Sequence, residues 1–154
     1  MRSGKTIGLL VLALGIIAIV LGAVFLGLGG ARYVQLQSAM RAEKVTLGIE
    51  GAEVSGDVID TFEEALKAGD TIREHRHSIA PSYQDLLGSG RYDPTNPKHL
   101  TYAQAMNLEN YLYLAVAAFG LTQIAMGSGA FMILTGIALG GTGIVLVKLS
   151  SKTA

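Results

Sequence analysis

The fold is decided by residues 6–31, TIGLLVLALGIIAIVLGAVFLGLGGA, which contain no charged side chain. As an α-helix with a rise of ~1.5 Å per residue, this stretch reaches ~39 Å, enough to cross a hydrocarbon core of ~30 Å. Gly8, Gly15, Gly22 and Gly29 recur within it every seven residues. Because seven residues make nearly two turns, these glycines form one stripe, and small residues let helix backbones approach closely in lipid. The stretch therefore predicts a membrane helix that packs against another helix.

A second uncharged stretch, residues 111–147, leaves two alternatives for the number of membrane crossings. As one helix it would be ~55 Å long, too long for one upright crossing. If Gly127–Ser128–Gly129 forms a turn, the chain has three spans, but the span before the turn is shorter than the ~20 residues that a crossing needs. If the helix is continuous, its first part packs against a domain outside the membrane and only the remainder crosses. We favour the continuous helix and two spans.

Charged residues delimit the two spans and orient them. Lys5 and Arg32 lie 27 positions apart, and counting 27 positions back from Lys148 reaches Leu121. These three charged residues, together with Tyr33, are the predicted interface anchors. Both ends of the chain carry bases and no acids, whereas all twelve acids lie in the middle. Because cytoplasmic segments of membrane proteins favour basic residues, both termini are predicted to be cytoplasmic.

The predicted fold class is an all-α membrane protein, a two-span antiparallel transmembrane hairpin whose helices extend into a small extracytoplasmic helical domain. Its segments are a cytoplasmic N-terminus (1–5), a first transmembrane helix (6–31), the helical domain (32–120), a second transmembrane helix (121–147) and a cytoplasmic C-terminus (148–154). Within the domain, apolar periodicity and capping residues predict the helix boundaries. The first helix continues to about Lys44, a helix capped by Ser55 covers 56–78, a short helix covers 82–87, and the last helix begins at Thr101.

The second span carries its own glycine series. Gly129, Gly136 and Gly143 recur every seven residues, and Gly140 follows Gly136 in a small-xxx-small pattern. When the membrane boundaries of the two spans are matched, residue n of the first lies level with residue 153 − n of the second. The first three glycines of the first span then each fall two residues from a glycine of the second. We predict helix packing through these glycines, with the alternative that one series contacts another protein.

Few residues are able to carry chemistry. There is no cysteine, which excludes thiolate catalysis and cysteine-ligated metals. Asp70, Glu74 and His77 share one face of a predicted helix, but neighbouring charges on a solvated face explain them better than a metal site. The sequence has no phosphate-binding loop, dinucleotide fingerprint or nucleophile elbow, and no basic cluster suited to nucleic acid. We predict no catalytic residue, no metal and no cofactor.

Four short segments resemble a family of small bacterial membrane proteins, mostly actinobacterial, of unknown function. They are residues 42–46 (AEKVT), 101–107 (TYAQAMN), 115–120 (AVAAFG) and 126–127 (MG). The resemblance implies two membrane helices around an outer helical domain in the bacterial inner (plasma) membrane, and no catalytic residue. Members are often labelled as aromatic ring-opening dioxygenases, but a non-haem iron oxygenase needs two histidines and a carboxylate at an open metal site. His75, His77 and His99 offer no such set, so we reject that activity.

Together these features favour a structural, accessory or scaffold role and not an enzyme. The glycine-lined helix faces would bind other membrane subunits or a second copy within the lipid bilayer. An alternative is an extracytoplasmic sensor or ligand-binding module whose outer helices recognise a small molecule or an envelope component. Neither span holds an ionisable residue, which argues against a charged-ion pathway through one subunit. A pore formed by several copies is a further, less favoured alternative.

Overall fold

The computed structural model describes residues 2–46 and 58–152, which form four helices and no strand. The helices are α1 (Arg2–Glu43), α2 (Phe62–Ile79), α3 (Tyr83–Leu87) and α4 (Pro97–Lys152). Both α1 and α4 are long and apolar enough to cross a membrane. The prediction of an all-helical chain with two long apolar helices is therefore confirmed.

The chain divides into two compact units. The first, here called the helix pair, consists of the residues up to Tyr33 and those from Leu121 onward. The second, here called the central unit, is Val34–Gly120. Because α1 and α4 are uninterrupted, each contributes one part to the helix pair and another to the central unit.

Helix α4 runs through Gly127–Ser128–Gly129 without a turn, so the three-span alternative is wrong. The reason lies in the contacts of Gly129, where a methyl group would lie only 2.6 Å from the carbonyl oxygen of Gly22. This glycine therefore permits close approach of two helices and does not serve a change of chain direction. The uninterrupted helix contains 56 residues and is ~84 Å long.

Helix α2 contributes small side chains to the core of the central unit. Helix α2 buries Ala65, Ala68 and Gly69, whereas Leu66, expected on the buried face, is 37% exposed. One cluster joins α2 to α4 and a second joins the α2–α3 connection to α4. Their buried members are Ile59, Ala65, Ala68, Leu112 and Ala115 in the first and Ala80, Leu86 and Tyr102 in the second. Small residues on α2 let its backbone lie close to α4, which leaves no room there for leucine.

Two predicted helix starts are wrong by several residues. Helix α2 begins at Phe62 because Thr61 and Glu64 form a capping box, in which each side chain accepts a hydrogen bond from the backbone N–H of the other. Val58, expected in this helix, instead pairs with Thr46 in an antiparallel bridge. The predicted cap, Ser55, lies outside the described residues.

Helix α4 begins at Pro97 and not at Thr101. Proline suits the first helical position because its missing N–H would be unpaired there in any case. The side-chain oxygen of Asn96 accepts a hydrogen bond from the backbone N–H of Lys98 at 2.9 Å and caps the helix. The short helix α3 and the end of α1 at Glu43 agree with the prediction.

Candidate functional site

The backbones of α1 and α4 are in direct contact along the helix pair. A methyl group on Gly15 would lie 2.6 Å from the backbone nitrogen of Gly140 and 2.7 Å from the carbonyl oxygen of Gly136. A methyl group on Gly22 would lie 2.6 Å from the carbonyl oxygen of Gly129. Because carbon atoms normally approach other atoms to about 3.5–4.0 Å, only glycine fits these positions without moving the helices apart. We call this contact the glycine seam.

The glycine seam is antiparallel and runs the length of the helix pair. Its members are Gly8, Gly15, Gly22 and Gly29 on α1, and Gly129, Gly136 and Gly143 on α4. The contacts of Gly15 centre on position 138 and those of Gly22 on position 131, between Gly129 and Ile133. Both positions satisfy the relation 153 − n calculated from the charged residues. The two glycine series therefore face each other within one chain.

Other glycines lie away from the glycine seam. No described atom lies within 4 Å of a methyl group placed on Gly27, Gly127 or Gly141. Gly140 supplies its backbone to Gly15, but its own methyl position meets only Leu12, at 4.0 Å. Gly27, Gly127 and Gly141 therefore belong to the outward faces of α1 and α4, whereas the backbone of Gly140 borders the glycine seam.

The outward faces of the helix pair are strongly apolar. On α4, four large side chains are between 67% and 70% exposed, namely Leu121, Ile124, Phe131 and Leu134. On α1, six more of the helix pair's large side chains are between 53% and 61% exposed, namely Leu10, Leu14, Ile16, Ile17, Val20 and Leu28. Contiguous apolar surface of this kind in a folded chain marks contact with lipid or with another protein.

The predicted interface anchors lie at the two ends of the helix pair. Gly4 meets Ser150 and Gly8 meets Val147, so Lys5 and Lys148 share one end of the helix pair, where both are exposed. Arg32 and Tyr33 follow Gly29, whose methyl position meets Met126, and so lie toward the opposite end. Cationic side chains thus bracket the apolar part of α1 on both sides, as expected of residues that reach membrane headgroups.

An apolar groove of about 610 Å³ lies within the central unit. One wall comes from the end of α1 and the residue that follows it, namely Leu36, Met40, Glu43 and Val45. The other wall is one face of α4, formed by Leu108, Tyr111, Leu112, Leu114, Ala115 and Ala118. Tyr111 and Leu114 are 70% and 65% exposed, so the groove is open on one side. Among the ten described residues that line it, Glu43 is the single charged one.

A buried ion pair holds α2 against α4 in the central unit. Arg76 donates from Nε to Glu109 Oε2 at 2.6 Å and from Nη2 to Oε1 at 3.3 Å, and it also donates to the hydroxyl of Tyr102. Both charged side chains are almost buried, with 12% and 10% of their surface exposed. The hydrogen bond that Arg76 donates to Glu109 raises the pKa of Arg76 more than burial lowers it, so the guanidinium stays charged. We call this group the Arg76 clamp.

Of the three residues considered for a metal site, Asp70 has other partners in the structure. Asp70 accepts a hydrogen bond from the Tyr113 hydroxyl at 2.6 Å and pairs with Arg73 at 3.1 Å. Within residues 2–46 and 58–152, no group of three or more histidines and carboxylates is placed to hold a metal ion. Asp70 thus helps to hold α2 against α4, and Tyr113 also lies against Gly69.

Sequence reasoning missed the groove and the Arg76 clamp. The partners in the clamp are 33 positions apart, and no local spacing connects them. The groove has a weak signal in the apolar spacing of Leu36 and Met40 beyond the first span and of Leu108, Leu112 and Ala115 before the second. Comparison with protein-family models, with curated proteins and with solved structures finds no match for this chain.

Proposed function

We propose that this chain is an accessory or scaffold protein of the bacterial inner membrane. In this proposal α1 and α4 cross the bilayer as an antiparallel hairpin, with both termini in the cytoplasm and the central unit outside. Support comes from the apolar outward faces and from Lys5 and Lys148 at one end of the helix pair. Basic residues at that end favour the cytoplasmic side.

The observation that carries the proposal is that the two glycine series pack against each other. The glycine seam makes the hairpin a closely packed pair without help from a partner. What remains for lipid and for other membrane helices is the outward surface, including the small residues Gly127 and Gly141 on α4. We infer that a membrane subunit, or a second copy of the chain, packs on this surface and not in the glycine seam.

Photocrosslinking in the native membrane tests the partner proposal. A photoreactive residue at Gly127 or Gly141 is expected to give a discrete protein adduct, identified by mass spectrometry. The same residue at Gly27, on the outward face of α1, serves as a matched comparison. Only lipid adducts at all three positions, together with a monomer in mild detergent, would contradict the proposal.

Cysteine labelling tests the topology separately, because the chain has no cysteine of its own. A cysteine at Ser89, in the turn after α3, is expected to react with a membrane-impermeant maleimide in intact cells. A cysteine at Ser151 is expected to react only after the membrane is opened. The reverse pattern would place the central unit in the cytoplasm and contradict the proposed orientation.

Ligand binding by the central unit is a second candidate function. It is favoured by the groove, whose volume of about 610 Å³ lies within the ~300–1,000 Å³ usual for small-molecule sites. Soluble domains seldom leave an apolar recess of this size filled only by water, because apolar walls offer water no hydrogen bonds. An apolar ligand retained through purification in mild detergent would support this function.

A further inference from the structure

We propose that the groove of the central unit holds an acyl chain of a membrane lipid, an inference that rests on the proposed membrane location. The walls of the groove are made almost entirely of aliphatic and aromatic side chains, among them Leu36, Met40, Leu108 and Leu114. A water molecule's share of liquid volume is about 30 Å³, so roughly twenty waters would fill the groove. Replacing them with hydrocarbon releases those waters to bulk and covers the walls.

The size of the groove favours a single chain of hydrocarbon over a protein partner. Ten of the described residues line it, whereas a stable protein interface uses about 20–30 residues on each side. Along α4 the wall extends from Leu108 to Ala118, which is ~15 Å of helix. A recess that is long, apolar and open along one side fits a flexible chain that enters sideways.

The position of the one charged lining residue gives the groove a polar end. Glu43 is the last residue of α1, and the rest of the α1 wall, back to Leu36, is apolar. A carboxylate has to remain hydrated or paired, so it disfavours hydrocarbon in its immediate surroundings. We infer that the lipid headgroup lies toward Glu43 and the acyl chain extends toward Leu36.

A photoreactive lipid tests the inference with the full-length chain. The protein is reconstituted in vesicles of phosphatidylethanolamine and phosphatidylglycerol that carry a small fraction of phosphatidylcholine with a diazirine on one acyl chain. After irradiation, peptide mass spectrometry locates the adducts. We expect adducts within residues 36–45 and 108–118, in addition to those that bulk lipid forms on the two membrane helices.

Two neighbouring alanines provide matched variants. Ala118 lines the groove, whereas Ala117, one position before it on the same helix, does not and is exposed. Ala118→Trp is expected to abolish the groove adducts by filling the recess, and Ala117→Trp to leave them unchanged. Leu36→Trp, on the opposite wall, is expected to repeat the loss. Circular dichroism on each variant checks that the helices remain.

Each outcome separates this inference from the membrane proposal. Equal groove adducts in Ala117→Trp and Ala118→Trp would mean contact with bulk lipid, and would overturn the inference. Adducts confined to the membrane helices would also overturn the inference, and so would a dimer or an internal crosslink in place of the groove adducts. None of these outcomes would contradict the membrane location. The absence of adducts on both membrane helices would instead refute the membrane location.

Discussion

Replacement of Gly15 by alanine is the most direct test of the glycine seam. The added methyl group would lie 2.6 Å from the backbone nitrogen of Gly140 and 2.7 Å from the carbonyl oxygen of Gly136. Neither atom is at the flexible end of a side chain, so the clash cannot be relieved by a rotamer change. The helices have to separate by roughly 0.8 Å before the contact reaches an ordinary 3.4 Å.

The cost of that separation follows from the contacts it weakens. A gap of about 0.5–1 Å forfeits a quarter to a half of the dispersion energy at each atom pair along the seam. Inserting a methyl group into a closely packed region typically costs about 1–3 kcal/mol. Alanine recovers part of this because it is the better helix former by about 1 kcal/mol. We expect Gly15→Ala to destabilise the helix pair by up to about 2 kcal/mol relative to the wild type, and by about 1–3 kcal/mol relative to a glycine-to-alanine change that meets no clash.

Thermal unfolding in one mild detergent, followed by circular dichroism, measures the effect. For a chain of this length the expected loss corresponds to a Tm lower by up to about 8 °C. Gly127→Ala is the matched control, because no described atom lies within 4 Å of its methyl position. That variant is expected to melt at or slightly above the wild-type temperature, since alanine lowers the entropy of the unfolded chain.

The comparison of glycines along α1 sharpens the test. At Gly29 the nearest atom to a new methyl group is Cγ of Met126, at 2.8 Å, and the nearest backbone atom is 3.2 Å away. A methionine side chain can move, so Gly29→Ala is expected to cost less than Gly15→Ala. If Gly15→Ala and Gly127→Ala have the same Tm, the close backbone contact at Gly15 does not exist.

Three further predictions concern other contacts. Cysteines at Gly4 and Ser150 are expected to form an intramolecular disulfide on oxidation. The reason is that a Cβ atom on Gly4 lies 3.8 Å from that of Ser150, which is the mean Cβ separation in disulfides. The disulfide should appear as a gel shift that neither single-cysteine variant shows. Arg76→Met is expected to lower the free energy of unfolding by about 3 kcal/mol, because it leaves Glu109 buried without its partner. The Arg76→Met/Glu109→Leu double variant is expected to recover most of that loss. Equal losses in the single and the double variant would contradict the Arg76 clamp. The carboxylate of Asp93 accepts hydrogen bonds from the hydroxyl and the backbone N–H of Thr95, and these bonds lower the pKa of Asp93 below its ordinary 3.8. Their stabilisation is therefore present above pH 3.8 and is lost as the pH falls through the lower folded-state value. Amide protection in this turn, measured as the exchange rate relative to that of an unstructured chain at the same pH, should therefore fall in acid in the wild type but not in Asp93→Asn.

The parts of the fold that were predictable depend on local periodicity and on length. A glycine series with a period of seven identifies one helix face without knowledge of its partner, and the charged residues set the register between the two series. The contacts of Gly15 and Gly22 follow that register. The division of the chain after Tyr33 and after Gly120 lies within two residues of the boundaries drawn from the charges, whose membrane placement stays a prediction.

The parts that were not predictable depend on contacts between distant segments. Apolar periodicity placed Leu66 inside, but the close approach of α2 to α4 selects Ala65 and Ala68 for burial. The start of α2 is decided by the capping box of Thr61 and Glu64, which competes successfully with the weaker signal at Ser55. The groove exists only because α1 and α4 both continue beyond the helix pair, and no single segment encodes it.

Close contact along the glycine seam also restricts the functions open to the helix pair. Within the helix pair, a pathway or ligand site between the two helices would require backbones that lie in contact at Gly15 and Gly22 to separate by several ångströms. That separation forfeits the dispersion contacts which, in lipid, are the main force holding two apolar helices together. A pore would then have to be lined by the outward faces of several copies. On these faces, Leu121 and Phe131 are apolar and exposed. Such faces suit lipid and membrane helices better than water, and so favour an accessory subunit over a channel.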